Sequence, residues 1–292
     1  MSNSTCARFA ALLIAALALA ACARPVEVKP ALWLVEGPSG QKAWLFGTIH
    51  ALPDPVEWRS QPIEQALEQS DRLVLEVAGI NDDARTARTF ASLASSPGLP
   101  PLDQRLPVDL RDDLATVLRS GGIKPGSLDQ YETWAAALML QQAAAGAGQS
   151  DSGNGIDRAL AKGYAKPIDE FEGAALQLGI FDQLPESAQR TLLAAALEGQ
   201  ETYQADTRRL AQAWAHAELD LIERETDQEL LRDPILREAL LVGRNRAWVS
   251  RLDAILKGGA HPFVAVGTAH LVGKDGLPAM LAARGYRVTR LQ

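Results

Sequence analysis

The chain has 292 residues, 47% of them apolar, and a formal net charge of −7. That acidic balance argues against a nucleic-acid partner and against an electrostatic grip on anionic lipid. Two cysteines cannot build a zinc-type Cys cluster, and no Walker or dinucleotide-type glycine motif occurs.

The first residues read as an export signal. Arg8 supplies a positive start, and Phe9 to Ala21 is an unbroken apolar run of 13 residues, too short to cross a bilayer as a helix. Leu19-Ala20-Ala21-Cys22 resembles the bacterial lipobox, so Cys22 is expected to carry lipid and become the new N-terminus. The expected location is therefore the envelope, as a lipoprotein facing the periplasm and touching the membrane only through that lipid. Ala23 follows the cysteine where inner-membrane retention would use Asp, which favours the outer membrane. Cys6 leaves with the signal, so the mature body has no free thiol and no disulfide. Losing residues 1–21, whose only charge is Arg8, takes the formal charge to −8. Residues 22–30 form a tether with two prolines, and 31–292 read as one domain large enough to bury its own core.

Leu32 to Val35 and Ala43 to Phe46 are β-prone runs about Gly37-Pro38-Ser39-Gly40 and predict a hairpin. The second run enters Gly47-Thr48-Ile49-His50. A helix over about Ser60 to Gln69 follows, with Ile63, Ala66 and Leu67 on one face, and then a buried strand, Arg72 to Val77, carrying Glu76 near its exit. The C-terminus repeats this grammar: a strand at Phe263 to Val266, then Gly267-Thr268-Ala269-His270, a helix from Gly276 to Arg284, and a strand from Tyr286 to Leu291. Arg290 aligns with Glu76, so the two copies differ chemically. Two strand–GTxH–helix–strand units predict an α/β fold, a central mixed sheet with parallel neighbours and right-handed crossovers. Between them, about 105–258, lies a large helical insertion. Helices are predicted over Pro107 to Ser120, Asp129 to Ala145 and Ile156 to Gly163, with a mobile loop at Ala143 to Gly155 and a short strand at Ala165 to Ile168. Ser187 to Lys257 should hold three helices, broken within Gly199 to Thr202 and near Asp233-Pro234.

His50 and His270 end matched strings, which predicts that the two ends of the chain build one site. Gly47 and Gly267 allow close approach, and the hydroxyls of Thr48 and Thr268 can orient a neighbour. His216 and His261 lack this context and are expected to be exposed. Glu76, closing an apolar strand, is a candidate metal ligand or general base. Asp169 and Glu170 suit the first turn of a helix, as dipole partners, whereas Glu172 beside Phe171 should turn inward; Asp157 is a further carboxylate. Arg244-Asn245-Arg246 sits in a helical stretch whose apolar side holds Leu240, Leu241, Trp248 and Leu252. One of its arginines could reach the site and bind a carboxylate or polarise a carbonyl. No Gly-x-Ser-x-Gly elbow and no His-Glu-x-x-His helix occurs. Two histidines with carboxylates suit Mn, Co, Fe or Zn, on which a water becomes acidic enough to attack a carbonyl or phosphoryl group.

GTIH with LVLEV, a central GIDRALAKGYAKPIDEFEG, RNRAW, and a terminal FVAVGTAHLVGKDGLPAMLAARGYRV together resemble the TraB/GumN family, also called PrgY or Tiki-like, from about Leu32 to Leu291. The resemblance implies a divalent metal (Mn, Co or Zn) and, by its Tiki branch, a metalloprotease that clips the amino terminus of secreted proteins. Other branches are tied to pheromone shut-down and polysaccharide loci. Carried onto this chain, the metal would be held by His50, Glu76 and His270. Asp157, Glu172, Arg244 and Asn245 match the rest of the pattern, while Gly173 stands where the pattern carries Thr. The expectation is a metal-dependent hydrolase acting on peptide or secreted-protein substrates, with Glu172 or Asp157 as further ligand or base and Arg244 steadying a carboxylate or oxyanion. The alternatives are a binding protein that sequesters a peptide, haem or other small ligand without turnover, and a structural remnant whose histidines merely cap strands.

Overall fold

A computed structural model describes residues 28–147, 152–198, 203–228 and 230–292. The export signal and Cys22 lie outside the described residues. Strands β1 (Leu32–Glu36), β2 (Lys42–Thr48), β3 (Arg72–Leu75), β4 (Ile168–Glu170), β5 (Pro262–Gly267) and β6 (Arg287–Arg290) form one mixed sheet in the order β4-β3-β5-β2-β1-β6. β4, β3, β5 and β2 run parallel, and β1 runs against both β2 and β6. The predicted hairpin is β1–β2, turned at Gly40 with φ +83°, a backbone region that favours glycine.

Strand alternation divides the core. Ala43, Leu45, Val264 and Val266 face one side, with Trp248 and Leu252 of a long helix and Leu277 and Leu281 of the C-terminal one. Trp44, Phe46, Phe263 and Ala265 face the other, with Ile63 and Leu67 of helix α1 (Gln61–Gln69). Both faces are covered, which is why the central strands read as continuous apolar runs.

The two sequence repeats are interleaved rather than side by side. Their first strands, β2 and β5, are central neighbours with Thr48 opposite Gly267. From there β2–α1–β3 moves one way along the sheet and β5 to β6 moves the other, on opposite faces. The two crossovers therefore share one hand, as the right-handed rule requires. β1 separates β2 from β6, so the copies diverge. Arg290 ends far from the site, donating to the carbonyls of Gln292 and Ala217.

The intervening chain forms α2 (Asp83–Leu93), α3 (Arg111–Ser120), α4 (Thr133–Ala147), α5 (Ile156–Gly163), α6 (Ala174–Asp182), α7 (Glu186–Ala195), α8 (Tyr203–Ala215), α9 (Leu219–Gln228), the one-turn α10 (Pro234–Arg237) and α11 (Gly243–Lys257), before α12 (Leu277–Ala283). Part of it packs away from the sheet around Trp134, Leu114, Val117 and Leu193. α5, α8 and α11 return to the sheet faces.

Several sequence expectations shift. The short strand lies at Ile168–Glu170, so Asp169 and Glu170 sit on an edge strand, not in the first turn of a helix. Asp169 pairs with Arg72, and Glu170 accepts from the Ala78 amide. Pro107 precedes a 3-10 turn, with the α-helix beginning at Arg111. α4 runs on to Ala147 inside the segment expected to be a loop, whose residues 148–151 lie outside the described residues, as does the expected break at 199–202. His216 is exposed just past α8, in a turn where Ala217 takes φ +50°, a break that the sequence did not signal. His261 is half-buried rather than exposed, because its backbone is clamped to Asp71 at the start of β3.

Candidate functional site

The C-terminal ends of β2, β5, β3 and β4 lie along one edge of the sheet, where open parallel sheets place their ligands. Each delivers a functional side chain there: His50, His270, Glu76 and Glu172.

The two glycines of the repeated motif do different jobs. A Cβ on Gly47 would lie 2.6 Å from Thr268 Oγ1, so this glycine admits the other motif's threonine, whose hydroxyl donates to the Thr48 carbonyl at 2.9 Å. A Cβ on Gly267 would meet only ordinary contacts: Glu76 Oε1 at 3.5 Å, His50 Nε2 at 3.6 Å and His270 Cδ2 at 3.8 Å. Gly267 thus sits at the point where the three predicted ligands converge.

The first motif is pinned from both sides. Trp214 Nε1–H donates to the Gly47 carbonyl at 2.9 Å, and the Ile156 amide donates to the Ile49 carbonyl at 3.0 Å. The second contact docks the N-terminus of α5 on the motif and so places Asp157, which is buried. Its carboxylate accepts from Thr48 Oγ1 at 2.5 Å and from His50 Nδ1 at 2.8 Å. Asp157 raises the His50 pKa from 6.5 to about 9, against the burial of the ring's inner side. With 63% of the side chain exposed, solvent screens part of that pull. The stabilisation is in place below pH 6.5 and is lost as the pH rises toward 9. With Nδ1 donating to a carboxylate, Nε2 is the atom turned to the cavity.

His270, on the 3-10 turn Thr268–Leu271, is held the same way by a neutral partner. Asn245 uses Nδ2 to donate to the Asp275 carbonyl at 2.7 Å, so its Oδ1, 2.6 Å from His270 Nδ1, must accept. Nε2 of His270 therefore carries the lone pair. Burial, reinforced by the charge of Arg244, pushes this imidazole down to about 3 and keeps it neutral, with Glu76 opposing. As the pH falls below 6.5 the unfolded chain takes up a proton here that the fold refuses until about 3. Each pH unit in that window should remove about 1.4 kcal/mol of stability. Chemical unfolding in chelator at pH 7, 6 and 5 should show an acid limb that His270→Gln flattens by one proton. An unchanged slope would mean the imidazole is already charged in the fold.

Glu76 is buried, with Oε1 accepting from the Gly267 amide at 2.9 Å and Oε2 from Arg244 at 2.6 Å and Gln177 at 3.2 Å. Burial works against its ionisation, but the two imidazoles, Arg244 and the Gly267 N–H outweigh it and hold the carboxyl at about 2. Because His270 is neutral above about pH 3, the cations that oppose burial at working pH are His50 and Arg244. The Arg244 guanidinium also binds Glu172 through Nε at 2.9 and 3.2 Å and through a terminal nitrogen at 2.9 Å, and approaches His270 Nε2 at 3.2 Å. Arg246, two residues on, points outward to Glu238. A π-helical turn, Glu238–Val242, leads into α11 at this point, a deviation often found at functional sites.

Two residues of the site have no counterpart among the sequence candidates. Gln177 carries no signal at all. Trp248 reads as part of an apolar stripe, yet its Nε1–H donates to Glu172 at 2.9 Å, and its ring lies under the Arg244 guanidinium (4.6 Å) and beside His270 (4.4 Å). Gly173 takes φ +82°, ψ 160°, a region essentially closed to other residues. Gly173→Thr should cost about 1–3 kcal/mol of stability, read from its unfolding midpoint, and wild-type stability in that variant would refute the backbone argument.

A cavity of about 250 Å³ opens on His50, Glu76, Asp157 and Gln177, with Ile80 and Leu178 on its apolar side. A second, of about 710 Å³, is lined by Arg244 and Glu172 together with Leu176, Ile180 and Ile235. The structure thus brings His50, Glu76, Asp157, Glu172, Arg244, Asn245 and His270 to one place. Among the described residues, no three His, Cys, Asp or Glu side chains are arranged as a ready-made metal cage.

The TraB/PrgY/gumN family model matches residues 31–290. Proteins called "Uncharacterized protein YbaP" from Shigella flexneri and from Escherichia coli K12 are each 29% identical over 250 residues, spanning 84% of this chain and 89% of theirs. No solved structure matches. With the family model running from β1 to β6, the chain belongs to the TraB/PrgY/gumN family.

Proposed function

We propose that this chain is a metal-dependent hydrolase acting on peptide bonds, anchored in the bacterial envelope by lipid on Cys22. The observation that carries the reading is the paired tethering of the histidines. Asp157 and Asn245 each take an Nδ1–H, leaving both Nε2 atoms for the centre, with Glu76 Oε1 beside them. Metal-bound histidines are oriented by such partners, and an N₂O donor set suits Mn, Co or Zn. His50, Glu76 and His270 would hold the ion. When bound, it supplies Lewis acidity and a water acidified to near neutral pH.

The remaining chemistry belongs to this chain's own groups. The 250 Å³ cavity seats the group to be cleaved, with the Gln177 amide and the His50 edge facing it. Asp157 orients His50, and Glu172 holds Arg244 against Glu76. Anchoring is supported by the sequence at Leu19 to Cys22; no helix among the described residues is long and apolar enough to cross a membrane.

The test is turnover of a peptide library in the presence of Mn, Co or Zn. His50→Ala and His270→Ala should each abolish it, whereas His216→Ala should leave it unchanged. Equal loss in His216→Ala, or a ligand retained stoichiometrically with no cleaved product, would overturn the hydrolase assignment.

A further inference from the structure

We propose that Arg244 is a resident cation that competes with the divalent ion for Glu76 and His270, so that metal affinity depends on how readily its guanidinium withdraws. This rests on the metal-site reading above. The guanidinium holds Glu76 Oε2 at 2.6 Å and faces His270 Nε2 at 3.2 Å, engaging two of the three side chains the ion needs.

The site also provides somewhere for Arg244 to go. Glu172 grips it through Nε and a terminal nitrogen, and Trp248 supports its face while donating to the same Glu172. The terminal nitrogen is shared, since it also donates to Glu76, but the Nε contact to Glu172 is independent of Glu76 and His270. Arg244 and Glu172 both line the 710 Å³ cavity. Rotation toward that side about the Nε–Glu172 contact breaks the shared nitrogen's bond to Glu76 and frees the ligands.

Charge favours holding both cations. Glu76, Glu172 and Asp157 bring three negative charges, of which Arg244 cancels one; the His50 imidazolium offsets another in the metal-free site, and its Nε2 proton leaves when an ion binds that nitrogen. The remaining two match a divalent ion. Arg244 is thus displaced on metal entry, not expelled.

Calorimetric titration of the chelator-stripped full chain with Zn²⁺ or Mn²⁺ tests this. Arg244→Ala should bind at least tenfold more tightly than wild type, and Arg244→Lys, which cannot form the forked contact, should fall between them. Affinity in Arg244→Ala equal to or below wild type overturns the competition but leaves the metal site standing. No binding in any variant overturns both. Should both variants fail to fold, Zn²⁺ titration of the ¹⁵N-labelled wild type decides by the arginine Nε–H resonances. A buried arginine signal should shift saturably as the ion binds, and binding that moves no such signal contradicts the proposal.

Discussion

Arg244→Ala is expected to be the most destabilising substitution in the site, costing about 3–5 kcal/mol in metal-free buffer. The reason is not the loss of a favourable pair but what is left behind. Glu76 and Glu172 are both buried, with side chains only 7% and 5% exposed, and Arg244 is the cation between them. Without it, two buried carboxylates are left with Gln177, Trp248 and the Gly267 amide as their hydrogen-bond donors. For a chain of this size the loss corresponds to a drop in melting temperature on the order of 10 °C. Urea unfolding in chelator measures it, and a loss below about 1 kcal/mol would mean the two carboxyls share protons in the fold. If the divalent ion replaces the missing charge, adding Zn²⁺ should restore much of the stability.

The second large effect separates the two copies of the motif. Gly267→Ala places a methyl group among His50 Nε2, Glu76 Oε1 and His270 at ordinary contact distances, on a backbone with φ −49° that alanine accepts. The protein should fold with stability within about 1 kcal/mol of wild type. Metal affinity should nevertheless fall at least tenfold and turnover at least a hundredfold, because the added methyl occupies the point where the ligands meet. Gly47→Ala, the same change in the other motif, drives a Cβ into Thr268 Oγ1 and should instead cost stability, about 1–3 kcal/mol. Calorimetry and thermal melts on both variants distinguish the roles. Full metal affinity in a folded Gly267→Ala would remove the centre of the proposed site.

Much of this fold is legible in the sequence because its ends obey simple periodicities. The β1–β2 hairpin, the apolar β3 and β5 and the α1 stripe are written in runs that a two-sided sheet dictates. The carboxylate closing β3 and the inward Glu172 are legible for the same reason: a charge beside a buried run needs a partner. β4 is harder, since Ile168-Asp169-Glu170 is a three-residue edge strand whose side chains are half-exposed. The break at His216 to Glu218 carries no Gly or Pro, and a backbone at φ +50° on Ala217 is set by tertiary packing. Trp248 shows the limit of patterning most clearly. Its position fits an apolar helix face, and only the fold reveals that its N–H holds Glu172 and that its ring carries Arg244. Gly173 is likewise unreadable until its φ is known.

The proposed metal centre rests on His50, Glu76 and His270. The most direct measurement is the metal content of the purified protein by mass spectrometry, beside the His50→Ala/His270→Ala double variant, followed by titration of the stripped proteins with Mn²⁺, Co²⁺ and Zn²⁺. Near-stoichiometric metal or saturable uptake is expected in wild type, lost in a double variant that remains folded. No metal and no uptake in either, or equal uptake in both, would contradict it.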